Sequence, residues 1–312
     1  MIADREKRIV FIVGPTGVGK SAVAIDLAQQ INGSIISCDA MQVYDHIRIA
    51  SNRPSPIEEQ SIKHHLTGCV PIEADFDVSR FYKLALGAIE EIREAKKIPV
   101  VCGGSGMYAQ ILLDGIFEES GKDDVLRQEL FGLAQEKGLD ALYQMLVEKD
   151  PDAAKKIHPH DLKRIVRGLE VGIKEKKPIS QLQKQRSGLW DQYAIKIFGL
   201  RMEREALYDR INRRVDQMLK DGLVEEISAL KNISLSSTAE KIIGVQEIRK
   251  YLSGQCSLEQ AAEEMKQNTR RYAKRQMTWF RKEKRIEWID LENNYNVEKV
   301  GEKIYAAWEL VL

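Results

Sequence analysis

The sequence has almost no net charge, few cysteines and no long apolar run. Its 312 residues carry 48 Lys and Arg against 47 Asp and Glu, which excludes a protein that binds nucleic acid with a uniformly basic surface. The longest apolar runs, such as residues 9–13 and 98–102, are far shorter than the ~20 residues that a membrane helix needs. Charged residues 1–8 lead into a strand-like run without the apolar stretch of a signal peptide. We therefore expect a globular, cytoplasmic protein.

The four cysteines, Cys38, Cys69, Cys102 and Cys256, are scattered along the chain. They form no CxxC pair and have no His at ligand spacing, so a zinc site is not expected. Cys38 and Cys102 each end an apolar strand-like run, where a free cysteine is usually a small buried hydrophobe. We assign all four a structural role in a reducing compartment.

Short apolar runs alternate with amphipathic stretches over the first 115 residues. The runs predict strands at residues 8–13, 34–38 and 98–102, and the stretches predict helices at residues 20–31, at residues 78–95 and after Gly106. Such alternation is typical of an α/β fold, in which helices cover a parallel sheet.

A helical block interrupts this alternation, and its charges are sorted by sign. Residues 118–152 carry 4 basic and 10 acidic side chains, whereas residues 155–186 carry 10 basic and 3 acidic ones. A strand-like run at residues 194–200 follows. We therefore predict that residues 1–116 form the first part of the α/β core, that residues 117–193 form a helical insertion domain, and that residues 194–312 complete the core and add helices.

Two long amphipathic helices are predicted after that run. The first spans residues 203–221 and ends at Gly222, a typical C-terminal residue of helices. The second spans residues 257–283 and begins with the capping-box pair Ser257 and Gln260.

Residues 266–285 in the second helix carry nine Lys or Arg and one acid. This bias is too one-sided for an ordinary solvated face, which usually mixes both signs. Basic side chains neutralise phosphates, while the interleaved Tyr272, Trp279 and Phe280 can stack on unpaired bases or pack on the core. For Trp279 and Phe280 we favour the core, because an amphipathic helix must bury one face.

The strongest local motif follows the first strand and matches GxxxxGK[ST], the phosphate-binding loop. It consists of Gly14, Pro15, Thr16, Gly17, Val18, Gly19, Lys20 and Ser21. The glycines let the backbone N–H groups surround an anion, Lys20 adds charge, and the Ser21 hydroxyl can bind Mg²⁺. The motif predicts a bound polyphosphate without saying which one.

An acid is missing where ATP-cleaving enzymes of this class usually have one. They place an Asp on another strand to help hold Mg²⁺, but the run at residues 98–102 is followed by Gly103 and Gly104. The acid instead follows the second strand, at Asp39. From the residues alone, Asp39 is either a cap or turn residue or a catalytic base.

Eight colinear segments together resemble the tRNA dimethylallyltransferases, also called tRNA isopentenyltransferases. They are residues 14–21, 39–44, 64–66, 103–108, 163–170, 207–216, 243–247 and 269–281. The resemblance implies a P-loop α/β core with a helical insertion domain. It also implies transfer of a dimethylallyl group from dimethylallyl diphosphate to N6 of adenosine 37, next to the anticodon of tRNA, with release of diphosphate.

The resemblance further implies roles for individual residues. Asp39 would be the general base, and Lys20, Ser21 and Mg²⁺ would stabilise the diphosphate leaving group. Arg210 and Arg214, at i and i+4 on one helix, would bind diphosphate or tRNA. Implied tRNA contacts are Asp39, Ala40, Met41, Gln42, Ser105, Arg127, Lys163, Arg164, Ile165, Val166 and Arg167, to which the basic helix adds Arg271, Lys274 and Arg275. The partners would be the anticodon stem-loop and the diphosphate donor, with no membrane, for a protein that we expect to be a monomer.

The chain departs from the family pattern at a few positions. Ala40 stands where the family usually has Ser, Ala50-Ser-Asn-Arg-Pro54 stands for Gly-Thr-Ala-Lys-Pro, and Ser105 replaces a Thr. The pair His64 and His65 is equally compatible with a structural role and a substrate contact. Three alternatives remain: transfer to a free adenine nucleotide, phosphate transfer by a small-molecule kinase, and RNA binding without catalysis. A small acceptor would need neither the insertion nor the basic helix.

Overall fold

The computed structural model describes residues 7–117 and 121–309. Residues 1–6, and residues 118–120 at the start of the predicted acidic stretch, lie outside the described part. The chain divides into two compact units. The first unit comprises Met1–Leu113 and Leu189–Leu312, and the second comprises Asp114–Gly188.

A parallel sheet forms the centre of the first unit and confirms the predicted α/β fold. Its described strands are β1 (Arg8–Val13), β2 (Gly33–Ser37), β3 (His64–His65), β4 (Ile98–Gly103), β5 (Ala194–Met202) and β6 (Ile286–Leu291). Their order across the sheet is β3-β2-β4-β1-β5-β6, and every neighbouring pair is parallel. The four predicted strands are present as β1, β2, β4 and β5, whereas β3 and β6 were not predicted.

Helices make up most of the remaining described chain. They are α1 (Lys20–Gln30), α2 (Pro56–Ser61), α3 (Val78–Glu94), α4 (Gly106–Asp114), α5 (Asp124–Lys137), α6 (Leu139–Lys149), α7 (Pro151–Ala154), α8 (Leu162–Lys174), α9 (Ile179–Lys184), α10 (Arg204–Lys220), α11 (Leu223–Ala229), α12 (Val245–Leu252), α13 (Leu258–Phe280) and α14 (Val297–Glu309). Helices α5 to α9 belong to the second unit. No helix in the described ranges is long and apolar enough to cross a membrane.

Two apolar clusters cover the two faces of the sheet. Successive side chains of a strand point to opposite faces, so Phe11 of β1 packs in one cluster with Phe81 of α3. Its neighbour Ile12 packs in the other cluster with Leu27 of α1 and Trp308 of α14. Because both faces are covered, β1, β2 and β4 are buried along their whole length, as is typical of parallel strands.

The predicted C-terminal end of α10 and the predicted start of α13 are confirmed, whereas α13 ends at Phe280 and not at the predicted residue 283. Helix α10 ends at Lys220, and Gly222 follows with a left-handed φ of 99°. Helix α13 begins after Ser257, whose hydroxyl accepts a hydrogen bond from the backbone N–H of Gln260, while the Gln260 side chain accepts one from the N–H of Ser257. This capping box fixes the register of the basic helix.

The second unit has an apolar core of its own, built on residues such as Leu142 and Leu169. Glu170 of α8 is completely buried in it and is bound by Arg127 and Arg167, each at 2.9 Å. The unit spans Asp114–Gly188, whereas the insertion was predicted over residues 117–193. The later boundary differs because Leu189 already packs in a core cluster of the first unit.

Candidate active site

Three strands of the first unit deliver the candidate site at their carboxyl ends, where α/β sheets usually build their sites. Strand β1 leads into the phosphate loop, β2 leads to Asp39, and β4 leads to Gly104 and Ser105. The segments that follow β2 and β4 are hydrogen-bonded to each other. Cys38 N–H donates to Cys102 O at 2.8 Å, and Ser105 N–H donates to Cys38 O at 3.1 Å. The backbone therefore fixes Asp39 beside the loop that follows β4.

The phosphate loop has the conformation that its glycines predict. Gly14, Gly17 and Gly19 have φ values of 147°, 86° and 100°, in a region that other residues rarely adopt. Gly19 precedes α1 without a side-chain cap, and the first turn of α1 contains no acid. The first N–H groups of α1 are thus available to an anion, and the helix dipole favours negative charge there.

Lys20 lies at the base of this loop. Its Nζ donates a hydrogen bond to Pro15 O at 2.8 Å. Burial lowers the Lys20 pKa to about 8, although the nearby Asp39 partly opposes this effect. A charge that is held in a poorly solvated position gains strongly from an anionic ligand.

Asp39 is the carboxylate of the site. Its Oδ1 accepts a hydrogen bond from Met41 N–H at 2.9 Å, which fixes the plane of the carboxyl group. Burial raises its pKa above the usual value for Asp, and the Met41 N–H and the Lys20 charge hold the pKa down. A carboxylate whose pKa lies closer to neutrality is a better proton acceptor in catalysis.

Arg210 and Arg214 reach the loop from α10. Arg210 Nε donates to Gly17 O at 3.1 Å, and an Arg214 Nη donates to Thr16 Oγ1 at 2.8 Å. Burial lowers the Arg214 pKa to about 10, so the side chain stays charged at neutral pH. Its buried Nε–H has no hydrogen-bond partner among the described residues. The arrangement offers this donor to an anion at the loop.

Gln276, which lies on the buried face of α13, was not predicted as a site residue from the sequence. Its Oε1 accepts from Thr16 N–H, and its Nε2 donates to Gly104 O, both at 2.8 Å. One side chain therefore joins the phosphate loop, the β4 loop and the basic helix. The available signal was its position seven residues after Thr269 and three after Ala273, in register with the buried face of the helix.

Two cavities of the first unit meet at these residues. The polar cavity, of about 300 Å³, is lined by the phosphate loop together with Lys20, Ser21, Gln42, Arg210 and Gln276, among others. The apolar cavity, of about 270 Å³, is lined by Met41, Val215, Met218, Ile242, Ile243, Met265, Tyr272 and Arg275, among others. Thr16, Asp39, Ser51, Asn52 and Arg214 line both cavities. Asp39 thus lies on their common border.

The basic helix α13 borders the apolar cavity. Tyr272 and Arg275 line it, and the Arg275 guanidinium lies 5.6 Å from the centre of the Tyr272 ring. Arg271, Lys274 and Arg275 are exposed, whereas Phe280 is buried, as we favoured from the sequence. Trp279 is partly buried against the same core.

The residues that depart from the family pattern differ in their surroundings. Ala40 packs against the core of the first unit. Arg53, at the usual Lys position, lies 3.6 Å from Glu59 and donates to Tyr44 O at 3.3 Å. Ser105 is partly exposed at the start of α4. Arg53 therefore supports the loop around it.

The two histidines differ in their surroundings. His64 lines the polar cavity, and its Nδ1 lies 2.8 Å from Ile62 O. His65 lies 3.6 Å from Glu91. Burial lowers the pKa of both rings, so neutral imidazoles predominate at neutral pH. Only His64 is placed for a substrate contact.

The cysteines do not take part in the predicted chemistry. All four are free, with Cys38 and Cys102 buried as expected and Cys69 exposed. Cys102 lines the polar cavity, but burial raises its pKa to about 11. Because the thiolate is the reactive form, this thiol is inert at neutral pH.

In the second unit, the residues predicted to contact tRNA fall into three groups. Lys163 and Arg164 are exposed, whereas Arg127 and Arg167 are bound to the buried Glu170. The side chains of Ile165 and Val166 are buried in the apolar core. Because α8 needs these two side chains to pack against the rest of the unit, a tRNA contact of Ile165 and Val166 would have to use their backbone, and this contact stays a prediction.

A magnesium ion fits the polar cavity by its donor chemistry. Within the described ranges, no group of three or more His, Cys, Asp or Glu side chains forms a metal site. Mg²⁺ usually binds phosphate oxygens, waters and only one or two protein oxygens. The Ser21 hydroxyl lines this cavity and offers such an oxygen.

Comparisons with known proteins agree with this geometry. The family model described as IPP transferase matches residues 42–283. The chain is 43% identical over 300 residues to the tRNA dimethylallyltransferase of Carboxydothermus hydrogenoformans, covering 96% of each. It is 42% identical over 295 residues to that of Acetivibrio thermocellus, covering 94% of each.

Solved structures give the same result. The tRNA isopentenylpyrophosphate transferase of Bacillus halodurans superposes with a TM-score of 0.71 at 34% identity, covering 98% of both chains. A eukaryotic dimethylallyltransferase, studied in crystallographic snapshots of its action on tRNA, has a TM-score of 0.74 at 31% identity. That match covers 91% of this chain and 74% of the other.

Proposed function

The chain belongs to the tRNA dimethylallyltransferase family, and from this premise we propose how its residues perform the reaction. It transfers a dimethylallyl group from dimethylallyl diphosphate to N6 of the adenosine next to the anticodon, position 37 of tRNA, and releases diphosphate. The observation that carries the proposal is the position of Asp39. It lies between a cavity that contains a phosphate loop and a cavity that borders a basic helix.

The donor binds in the polar cavity. Its diphosphate accepts hydrogen bonds from backbone N–H groups at the start of α1, among them those of Lys20 and Ser21, and from the Lys20 side chain, and it meets the buried Nε–H of Arg214. Arg210, held by Gly17 O, adds a further positive charge. These cations stabilise the charge that grows on the leaving group.

The acceptor base enters the apolar cavity. Met41, Ile242 and Met265 provide an apolar surface for a planar base, and Tyr272 provides an aromatic ring. A base stacked in an anticodon loop must swing out to reach such a cavity. Arg275, at the same cavity, is placed to bind the phosphates that flank the extruded nucleotide.

The chemical step is a substitution at the allylic carbon. The N6 lone pair forms the new C–N bond, the C–O bond to the diphosphate breaks, and its electron pair leaves with the diphosphate. The N6 proton passes to the carboxylate of Asp39, which Met41 N–H holds in place. Proton transfer matters because this exocyclic amine is weakly basic and becomes acidic as it is alkylated.

Magnesium belongs to this proposal. The Ser21 hydroxyl would hold it, and the ion would supply charge neutralisation for the leaving diphosphate. Lys20 and Arg214, which lie at the loop, also neutralise the charge of the diphosphate. Burial removes water from both cations and lowers their pKa values, so a bound anion stabilises their charged forms.

The rest of the tRNA contacts exposed cations. Arg271 and Lys274 of α13 would bind backbone phosphates, and Lys163 and Arg164 of the second unit would add to this binding. The first unit supplies the residues that line the two cavities, and we propose that the protein works as a monomer. We also propose that it works in the cytoplasm, on tRNA.

Transfer of a labelled dimethylallyl group tests the proposal. We expect the pure protein, Mg²⁺ and labelled dimethylallyl diphosphate to label an anticodon stem-loop that carries adenosine at position 37. A stem-loop with guanosine at this position is the matched control. Absence of label in the adenosine substrate, with a relative active in parallel, would contradict the proposal.

The same reaction separates the alternatives. Label on AMP or ATP without RNA would indicate transfer to a free nucleotide, and phosphate transfer from ATP would indicate a kinase. Normal RNA affinity without turnover would indicate a binding protein. The exposed basic face of α13 favours the RNA substrate, because a free nucleotide has no backbone to contact it.

A further inference from the structure

The border between the two cavities includes a short segment without regular structure. Residues 48–52, the wall segment, connect the Asp39 loop to α2. Ser51 and Asn52 line both cavities, and Ala50 lines the apolar one. Asn52 has a left-handed φ of 51°. The position of this segment therefore sets the width of the site at the point where the donor and the base must meet.

One distant carboxylate binds the start of the wall segment. Glu226 of α11 accepts hydrogen bonds from three successive backbone N–H groups, those of Arg48 at 2.6 Å, Ile49 at 2.7 Å and Ala50 at 2.9 Å. Hydrogen bonds to an ionised acceptor are shorter and stronger than neutral ones. Glu226 lies 176 to 178 residues away in sequence and lines neither cavity.

The end of the wall segment is bound to the Asp39 loop. Gln42 Nε2 donates to Asn52 O at 2.7 Å, and Ser37 Oγ donates to Gln42 Oε1 at 2.7 Å. Both the oxygen and the NH₂ group of the Gln42 amide are thus hydrogen-bonded within the protein. The Arg48 side chain also pairs with Glu59 at 3.0 Å. These contacts do not involve Glu226, so its removal should displace the segment without unfolding it.

We propose that Glu226 is a positioning residue for the transfer reaction. Through three N–H groups it holds the wall segment, and with it the border of both cavities, at the spacing that the donor and the base need. This inference rests on the proposed function. The phosphate loop and α13 do not depend on these hydrogen bonds, so the affinities for diphosphate and RNA are independent of Glu226.

Steady-state kinetics of Glu226→Ala test the inference. We expect kcat to fall by about 10- to 100-fold, because small misplacements of reacting groups have effects of this size. The KM of the donor and the Kd of the stem-loop should change by less than about threefold. Glu226→Gln should be intermediate, because its amide oxygen can still accept from Arg48 and Ile49 while its NH₂ opposes the N–H of Ala50.

Glu225→Ala is the matched control, since Glu225 is an exposed neighbour with the same charge. It should leave kcat unchanged. Amide hydrogen exchange supplies a readout besides activity: the N–H groups of Arg48, Ile49 and Ala50 should exchange faster in Glu226→Gln than in the unaltered protein. Should Glu226→Ala fail to fold, the isosteric Glu226→Gln takes its place in the kinetic test.

Three results would overturn the inference. They are an unchanged kcat per folded molecule in Glu226→Gln with unchanged exchange, a rise in donor KM as the main effect, and an equal loss of kcat in Glu225→Ala. Failure of the proposed function is distinguishable, because the unaltered protein would then transfer no label at all.

Discussion

The charge of Lys20 makes donor binding depend on pH in the alkaline range. Burial holds the Lys20 pKa at about 8 in the free protein. A bound diphosphate places negative charge beside Nζ, so the pKa rises in the complex and the complex keeps the proton. Affinity is therefore nearly full at pH 7 and below, and it falls as pH rises through the pKa of the free protein, about 8.

The size of the effect follows from that pKa. At pH 7 about nine-tenths of the free protein carries the charge, and at pH 9 only about one-tenth does. We expect the affinity for a non-reactive thio analogue of the donor, measured by calorimetry without RNA, to fall about tenfold between pH 7 and 9. Arg214, with a pKa of about 10, contributes only at higher pH.

Two variants check that Lys20 is responsible. Lys20→Arg should bind more weakly but lose the pH dependence below pH 9, because an Arg side chain stays charged. Asp39→Asn should move the loss of affinity to lower pH, because the Asp39 charge raises the Lys20 pKa. Constant affinity of the unaltered protein from pH 7 to 9.5, or the same loss in Lys20→Arg, would refute the reasoning.

Three further predictions follow from the site. Asp39→Asn should lower kcat by about 10²- to 10⁴-fold in the transfer assay, with stem-loop affinity unchanged in filter binding; a loss of affinity instead would argue against a base. The double variant Arg271→Ala with Lys274→Ala should make the slope of log K against log salt shallower by about 1.4 to 1.8, and an unchanged slope would remove both residues from the interface. Gln276→Leu should lower the free energy of unfolding by about 1 to 3 kcal/mol in denaturant titrations, since it leaves a buried N–H and C=O unpaired; equal stability would exclude the proposed link.

Local sequence patterns were sufficient for much of the fold. Strands β1 and β4 are continuous apolar runs, and their buried state follows from covering helices on both faces. The phosphate loop is local as well, because its glycines and Lys20 are neighbours in the chain. By contrast, β6 mixes buried and exposed positions without strict alternation over only six residues at the edge of the sheet, which is a weak signal.

The candidate site depends on contacts that no local pattern reveals. Gln276 binds Thr16 across 260 residues, and Glu226 binds Ile49 across 177. The same holds in the second unit. The resemblance implies tRNA contacts for Arg127 and Arg167, but no local pattern reveals that both are bound to Glu170, because a buried carboxylate requires partners.

The position of the new bond in the product tests the central claim most directly. A stem-loop treated with the protein and dimethylallyl diphosphate can be digested to nucleosides and analysed by mass spectrometry, with Asp39→Asn treated in parallel. We expect a dimethylallyl group on N6 of adenosine 37 after reaction with the unaltered protein, and almost none after reaction with the variant. A group on another atom or another nucleotide, or equal yields from both proteins, would contradict it.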